Sequence, residues 1–546
     1  MTHIKKNQIT KYRRILFRIS FSIIFFSAFG TLIYVMNARM SAYPYNTSLD
    51  YNYDFRGTDS KIINLNLKNG KFTLPPIDDL YSAFIKIEIN TTFMGRFFQP
   101  EANLTTFLRL KPESASGKAN APDKITISEY FENGAKGVRY INISRFIALS
   151  QSKLGSTFDI EIKGKYVLFK DQPLELILFK NQNISHSKIL IIAPHPDDAE
   201  IAAFGLYSTL SLSNKENRSG NSKNIYVITV TAGDAGTYQY DEIYSNRKNH
   251  FLKKGKIRTW NSITVPLLAG IPPDNVLNLG FFDGTLETMF NINPGSVKAP
   301  YTGISDINLF RKQNISHLVN ILEGEANWNS LVKNIENLLI EIEPDIIVAP
   351  YPAIDSHPDH KFSSIALFEA IKRVDISIRQ EQIGNSQNKE DGINTPHLNY
   401  DNKNRSSYDI KSRYLYLYTN HFVLNEYYPY GKSGGVISLP PAFKESIYFK
   451  SIYSHLLSPD REREKILSLE AMNDLRPDTS WRFSDDALKM AVMSIKRNVL
   501  GKDVSYYRRS VRNNELFFVI PISDIYNKFI LNRIIGGSEQ KAAIKY

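Results

Sequence analysis

The sequence contains no cysteine among its 546 residues. That absence excludes disulfide bonds and thiolate metal sites, and it is compatible with an oxidising compartment. No arginine-rich arm or nucleic-acid motif is present either. The formal net charge of +12 therefore points to anionic neighbours such as a membrane surface or an acidic polymer, not to nucleic acid. A glycine-rich nucleotide fingerprint is also lacking; Gly233-Asp234-Ala235-Gly236 is more simply a strand-end turn. No G-x-S-x-G nucleophile elbow accompanies the histidines, which argues against a serine hydrolase.

What is present exceeds one hydrophobic core. A chain of this length is expected to form two or more domains, and 42% hydrophobic residues are ample to fill them. Residues 1–18 are basic, with Lys5, Lys6, Lys11, Arg13, Arg14 and Arg18. An uncharged run, 19–36, follows and has the length of a bilayer-crossing helix. The expectation is a single-pass membrane anchor with a cytoplasmic N-terminus and the catalytic domain outside the cytoplasm. A cleaved signal peptide is the competing reading.

Residues 45–187 change to period two. Ile85, Ile87 and Ile89 alternate with Lys86, Glu88 and Asn90, and similar runs occur around 124–127, 138–143 and 158–162. Alternating strands separated by turn-rich segments such as 111–117 predict a β-rich, sandwich-like domain. Two roles fit it, a glycan-binding module or a spacer. Phe93, Phe97 and Phe98 are either a sugar platform or core.

From residue 188 to 546 strands and helices alternate, which predicts an α/β domain on a Rossmann-like, largely parallel sheet. Strands are expected at 188–193, 225–230, 275–279, 345–349 and 414–418. Helices are expected at about 199–212, 328–342, 358–373, 442–457 and 460–473. The stretch 376–411 is rich in Asn, Gln, Ser, Lys and Asp, and reads as a polar surface insertion.

Two of these strands end alike. Ile189-Leu190-Ile191-Ile192-Ala193-Pro194 leads into His195-Pro196-Asp197-Asp198-Ala199-Glu200, and Ile346-Ile347-Val348-Ala349-Pro350 leads into Asp355-Ser356-His357-Pro358-Asp359-His360. In open α/β sheets, ligands bind at the carboxyl ends of the strands. A catalytic zinc takes three protein ligands and leaves a position for water. The spacing lets His195 and Asp198 converge on one ion, with His360 as third ligand from the second strand end. Asp197 is then the candidate general base, and His357 a donor to the developing oxyanion. His421, just beyond the strand 414–418, is a candidate pocket-lining residue.

The two motifs, Pro194-His195-Pro196-Asp197-Asp198-x-Glu200 and His357-Pro358-Asp359-His360, resemble those of the PIG-L/LmbE-like family of zinc-dependent N-acetylglucosaminyl de-N-acetylases. The resemblance spans about 187–475, with a short Glu-x-Phe pattern at Glu515-Leu516-Phe517 beyond it. It implies a Rossmann-like fold, Zn2+ on His195, Asp198 and His360, and catalysis by Asp197 and His357. Through Gly280-Phe281-Phe282-Asp283-Gly284 it implies Asp283 as a substrate contact, and Arg258 matches a sugar-binding arginine. Where relatives carry an acidic residue three positions after that arginine, this chain has Asn261. The expected function is a zinc-dependent hydrolase removing N-acetyl groups from N-acetylglucosamine-type sugars of a surface glycan or glycolipid precursor. The alternatives are another metal-dependent amide or ester hydrolase on the same scaffold, and an inactive glycan-binding or assembly protein.

Overall fold

A computed structural model describes residues 16–32, 51–109, 124–152, 157–216, 224–236, 238, 244–390, 408–424, 427–442, 447–472 and 506–536. The strands β1 (Ser60–Leu67), β2 (Lys71–Leu74), β3 (Tyr81–Thr91), β4 (Glu101–Arg109), β5 (Thr126–Tyr130), β6 (Lys136–Asn142), β7 (Thr157–Lys165), β8 (Val167–Leu168) and β9 (Gln172–Lys180) come first, with helix α1 (Ser144–Ser152) after β6. They form two antiparallel sheets, one ordered β1-β9-β3-β6 with β8 against β3, the other β2-β7-β4-β5. The period-two pattern explains the layering, because alternate side chains of a strand point to opposite faces. Ile85, Ile87 and Ile89 of β3 share one buried core with Phe72, Leu104, Ile127 and Ile160 of the other sheet. Phe93 is 69% exposed, so it is not a core residue.

In the second region strands and helices alternate, with a helix at 247–268 that the sequence reading does not include: β10 (Ile189–Ala193), α2 (Asp198–Glu216), β11 (Ile225–Thr231), α3 (Arg247–Leu268), β12 (Val276–Phe281), α4 (Trp328–Ile342), β13 (Ile346–Pro350), α5 (Pro358–Glu390) and β14 (Tyr414–Tyr418). Then come β15 (Ser451–Leu456), α6 (Pro459–Ala471) and β16 (Asn514–Pro521). One seven-stranded sheet results, ordered β12-β11-β10-β13-β14-β16-β15. The five strands β10 to β14 run parallel, whereas β16 is antiparallel to both β14 and β15. Pairing across the whole molecule is mostly antiparallel, so the chain is a mixed α/β protein with several sheets and not a single parallel, Rossmann-like layer.

Strands β10 and β13 are buried at every residue, as apolar runs covered by helices on both faces must be. Helix α4 shows how one cover forms. Asn327 caps its start by accepting from the Ser330 amide, and Leu331, Ile335, Leu338, Leu339 and Ile342 are all buried on its inner stripe. At roughly 1.5–3 kcal/mol per buried large apolar side chain, that stripe stabilises the packing by about 10 kcal/mol.

The two regions share a polar seam. The Asn142 side chain donates to the Ile437 carbonyl (3.0 Å) and to Ser454 Oγ (2.9 Å), and Arg145 reaches the carbonyls of Leu457 and Asn513. Ser438 Oγ donates to Glu129, and the Ser454 amide donates to Ser82 Oγ (2.7 Å).

Several expectations are corrected. The single-pass anchor over 19–36 is not supported: among the described residues no helix is long and apolar enough to cross a membrane. The described residues 16–32 are helical and exposed. The outward placement of the catalytic domain falls with the anchor. Most of the basic segment 1–18 and residues 33–36 lie outside the described residues, as does the turn 111–117. The helix expected at 442–457 is replaced by strand β15, because Ser451–Leu456 pairs with β16. The polar stretch 376–411 begins as helix, since α5 continues to Glu390; 391–407 lie outside the described residues.

Candidate active site

Parallel register explains why distant motifs meet. Ile189 of β10 lies opposite Ile346 of β13, so both strands deliver their carboxyl ends to the same edge of the sheet. His195 and Asp198 sit at the turn from β10 into α2, and His357 and His360 sit at the turn from β13 into α5. Asp197 between them has φ 117°, a left-handed conformation that costs a non-glycine residue on the order of 1–3 kcal/mol. Asn420 and His421 arrive from the end of β14.

Three donor atoms form a triangle. His195 Nδ1 lies 3.1 Å from Asp198 Oδ2 and 3.2 Å from His360 Nε2, and His360 Nε2 lies 3.0 Å from Asp198 Oδ2. Those edges match the ~3.3 Å separation of ligands on a tetrahedral ion with bonds of about 2.0–2.1 Å. All three side chains are buried. The His357 ring stands 4.7 Å from His195 and 5.1 Å from His360, centre to centre, and His421 lies 5.0 Å from His360. His195, His357 and His360, and separately Asp198, His360 and His421, bring ligand atoms within 4.8 Å of one another.

A second layer of carboxylates orients the rings. His360 Nδ1 pairs with Asp355 Oδ2 at 3.0 Å, leaving Nε2 toward the triangle. On its far side His195 Nε2 faces Asp283 Oδ1 (3.2 Å) and Asp359 Oδ2 (3.3 Å), which leaves Nδ1 inward. Asp359 also accepts from the amides of Gly284 (2.6 Å) and Leu286 (3.1 Å), and Asp234 accepts from the Asp283 amide (2.9 Å). The loop 283–286 is thereby strung between two buried carboxylates. Asn420 completes the frame: its side chain donates to Asp198 Oδ1 (2.8 Å), while its amide donates to Asp355 Oδ2 (3.0 Å).

The electrostatics follow from this crowding. Burial works against a charged His195 ring, but the Asp283, Asp198 and Asp359 carboxylates outweigh it and hold its pKa well above the usual imidazole range. Burial also opposes a charged His360, and Asp198 and Asp355 push its pKa up to about 10. The same negative field would draw a divalent cation. His357 moves the other way, to about 4, through burial and the neighbouring His195 and His360 rings. Its Nδ1 accepts the Asp359 amide (3.2 Å), so the neutral ring carries its proton on Nε2.

The remaining sequence candidates lie nearby. Arg258 Nη2 donates to Asp197 Oδ2 (2.9 Å) and to the Pro196 carbonyl (2.7 Å), so it grips the base candidate and the strained turn. Asp283 faces His195, as described. Glu200 turns away from the triangle and accepts from Tyr207 at 3.0 Å; burial pushes its pKa up to about 7. Sequence reasoning missed Asn420, Asp355, Asp359 and Asp234 as functional residues. Asp355 and Asp359 flank histidines already singled out, and Asn420 precedes His421; adjacency was their only signal.

No curated protein matches the chain. Among solved structures it is similar to the N,N'-diacetylchitobiose deacetylase from Pyrococcus horikoshii, with 15% identity over 63% of this chain and 88% of that one, and a TM-score of 0.31. The A40926 pseudoaglycone deacetylase Dbv21 is 14% identical over 62% of this chain and 98% of that one, with a TM-score of 0.28. GalB, a 4-carboxy-2-hydroxymuconate hydratase from Pseudomonas putida KT2440, is 11% identical over 61% and 96%, with a TM-score of 0.30. Scores this low carry no argument about chemistry. The sequence match is the informative one: residues 190–371 fit the family model described as PIG-L, GlcNAc-PI de-N-acetylase. That span, about a third of the chain, holds both histidine–aspartate motifs, and it is where the likeness to the PIG-L family lies.

Proposed function

We propose that the protein is a zinc-dependent hydrolase that removes the acetyl group from an N-acetylglucosamine-type sugar of a glycan or glycolipid precursor. The observation that carries this reading is the triangle of His195 Nδ1, Asp198 Oδ2 and His360 Nε2, with edges of 3.0–3.2 Å. A two-nitrogen, one-oxygen donor set of this size fits a tetrahedral Zn2+ with one open position. Bound there, the metal would lower the pKa of a water molecule and polarise the carbonyl under attack.

The chain's own residues supply the rest. Asp197, aligned by Arg258, takes the proton from the attacking water. The water oxygen joins the acetyl carbon, Asp197 hands its proton to the sugar nitrogen, and the C–N bond breaks; the amine then takes up the acid's remaining proton, leaving acetate and an ammonium group. His357 donates its Nε2 hydrogen to the oxygen on which negative charge develops. Asp283 and Arg258 border the same edge of the sheet and are the proposed sugar contacts, with His421 lining the opposite side.

Acetate release from N-acetylglucosamine oligomers, compared with release from acyl esters, tests the proposal. Metal-loaded protein should cleave the amide substrates and lose that activity on chelation, with recovery on adding Zn2+. Turnover of the esters alone, or chelator-resistant amide cleavage, would refute it.

A further inference from the structure

Helix α2, which carries Asp198, is gripped from the side at its second turn. Glu515 of β16 accepts two of its amides, Gly205 on Oε1 (2.7 Å) and Leu206 on Oε2 (2.8 Å). Lys465 of α6 donates to Glu515 Oε1 (2.7 Å) and to the carbonyl of Ile201 (2.8 Å). Both charged side chains are 1% exposed. In a regular helix the Gly205 amide faces the Ile201 carbonyl four residues back. Here both of those groups also engage a buried ion pair, which is inserted against the helix's own ladder. The glycine also makes room for a neighbour: a Cβ at position 205 would lie 2.6 Å from the Leu457 side chain, just beyond β15.

We propose that Glu515, together with Lys465, is a positioning residue that fixes the first turns of α2 and with them the place of Asp198 in the donor triangle. The inference rests on the metal-hydrolase reading above. Asp198 lies three residues before Ile201 and seven before Gly205, about 10 Å along the axis. Asn420 holds Asp198 from the β14 side, and the Glu515–Lys465 pair holds its helix from the β16 side. Metal–ligand distances tolerate only about 0.2 Å, so a helix free to slide by even half an ångström would spoil the triangle.

A buried ion pair can also serve the fold alone, and replacing both partners by neutral residues is then often harmless. The experiment separates these roles by titrating Zn2+ into the full chain against a competing chelator. It compares the wild type with Asp198→Ala, Glu515→Gln and the double variant Lys465→Met/Glu515→Gln, and records thermal midpoints in parallel. The double variant leaves no uncompensated buried charge, so its midpoint should recover relative to Glu515→Gln. Its Zn2+ affinity should nevertheless stay about 10-fold weaker than wild type, within the range typical of residues behind metal ligands. A folded double variant that binds Zn2+ within about twofold of wild type, beside lost affinity in Asp198→Ala, overturns the inference alone. A double variant that cannot fold assigns the pair to the fold and overturns it as well. If Asp198→Ala binds as tightly as wild type, the metal-site reading itself falls and takes this inference with it.

Discussion

The two antiparallel sheets of residues 60–180 and the seven-stranded sheet that follows spend their polar residues differently. In the first region, buried side chains at the seam tie it to the second: Asn142 and Arg145 donate to the carbonyls of Ile437 and Leu457, and Glu129 accepts from Ser438. In the second they gather at the carboxyl ends of β10, β13 and β14, where His195, Asp198, His360 and Asn420 converge on one point. A parallel arrangement sends several strand ends to one edge, whereas an antiparallel one alternates them. The candidate site lies where the strand ends collect.

The sharpest way to break that contrast is His360→Ala. It should abolish stoichiometric Zn2+ uptake and lower kcat/KM by about 1000-fold or more, read by metal analysis and acetate release. Next in size, His357→Ala should keep the metal and lower kcat by about 100-fold, the usual cost of losing one oxyanion donor; a variant that loses its metal would instead make His357 a ligand. On the seam, Asn142→Ala deletes the side-chain bonds to Ile437 and Ser454 and should cost about 2 kcal/mol of stability. Denaturant midpoints would show it, with kcat of the folded protein unchanged.

The effect hardest to isolate is a pH dependence. Burial pushes the Glu129 carboxyl up to about 8 from 4.5, against the opposing hydrogen bond from Ser438. A raised folded-state value means the folded chain holds a proton that the unfolded chain releases. Its stabilising contribution is complete below about 4.5 and is lost as the pH climbs through about 8. Glu129→Gln should flatten the stability profile across that window, and an unchanged slope would remove Glu129 as its source.

The site was more legible than its support. Ile189–Ala193 and Ile346–Pro350 are short apolar runs closed by a proline, and such runs can hardly be anything but buried strands once helical stretches alternate with them. The histidines behind them were therefore placed correctly at strand ends. By contrast, Ser451–Leu456 falls inside the stretch 442–457 expected as helix, because only its pairing with Asn514–Pro521, some sixty residues later, makes it a strand. Helix α5 outran its expected end because the polar composition past Ile376 argued for a loop. The apolar run 19–36 invited a membrane span that no described helix supports. Asp234 shows only as part of a strand-end turn, and Asn420 only as the neighbour of His421.

By itself the sequence determined which residue types stand at two strand ends, and hence the chemistry available there: three imidazoles, a pair of adjacent carboxylates and no thiol. Periodicity and spacing are local, and a chain's own order records them. Only the tertiary structure decided that β10 and β13 are neighbours in register, that Asp355 and Asn420 lock the ring and carboxylate facing each other, and that Glu515 reaches helix α2 from more than three hundred residues away. Those contacts depend on strand order and on which faces are buried together, and neither is written in any one segment.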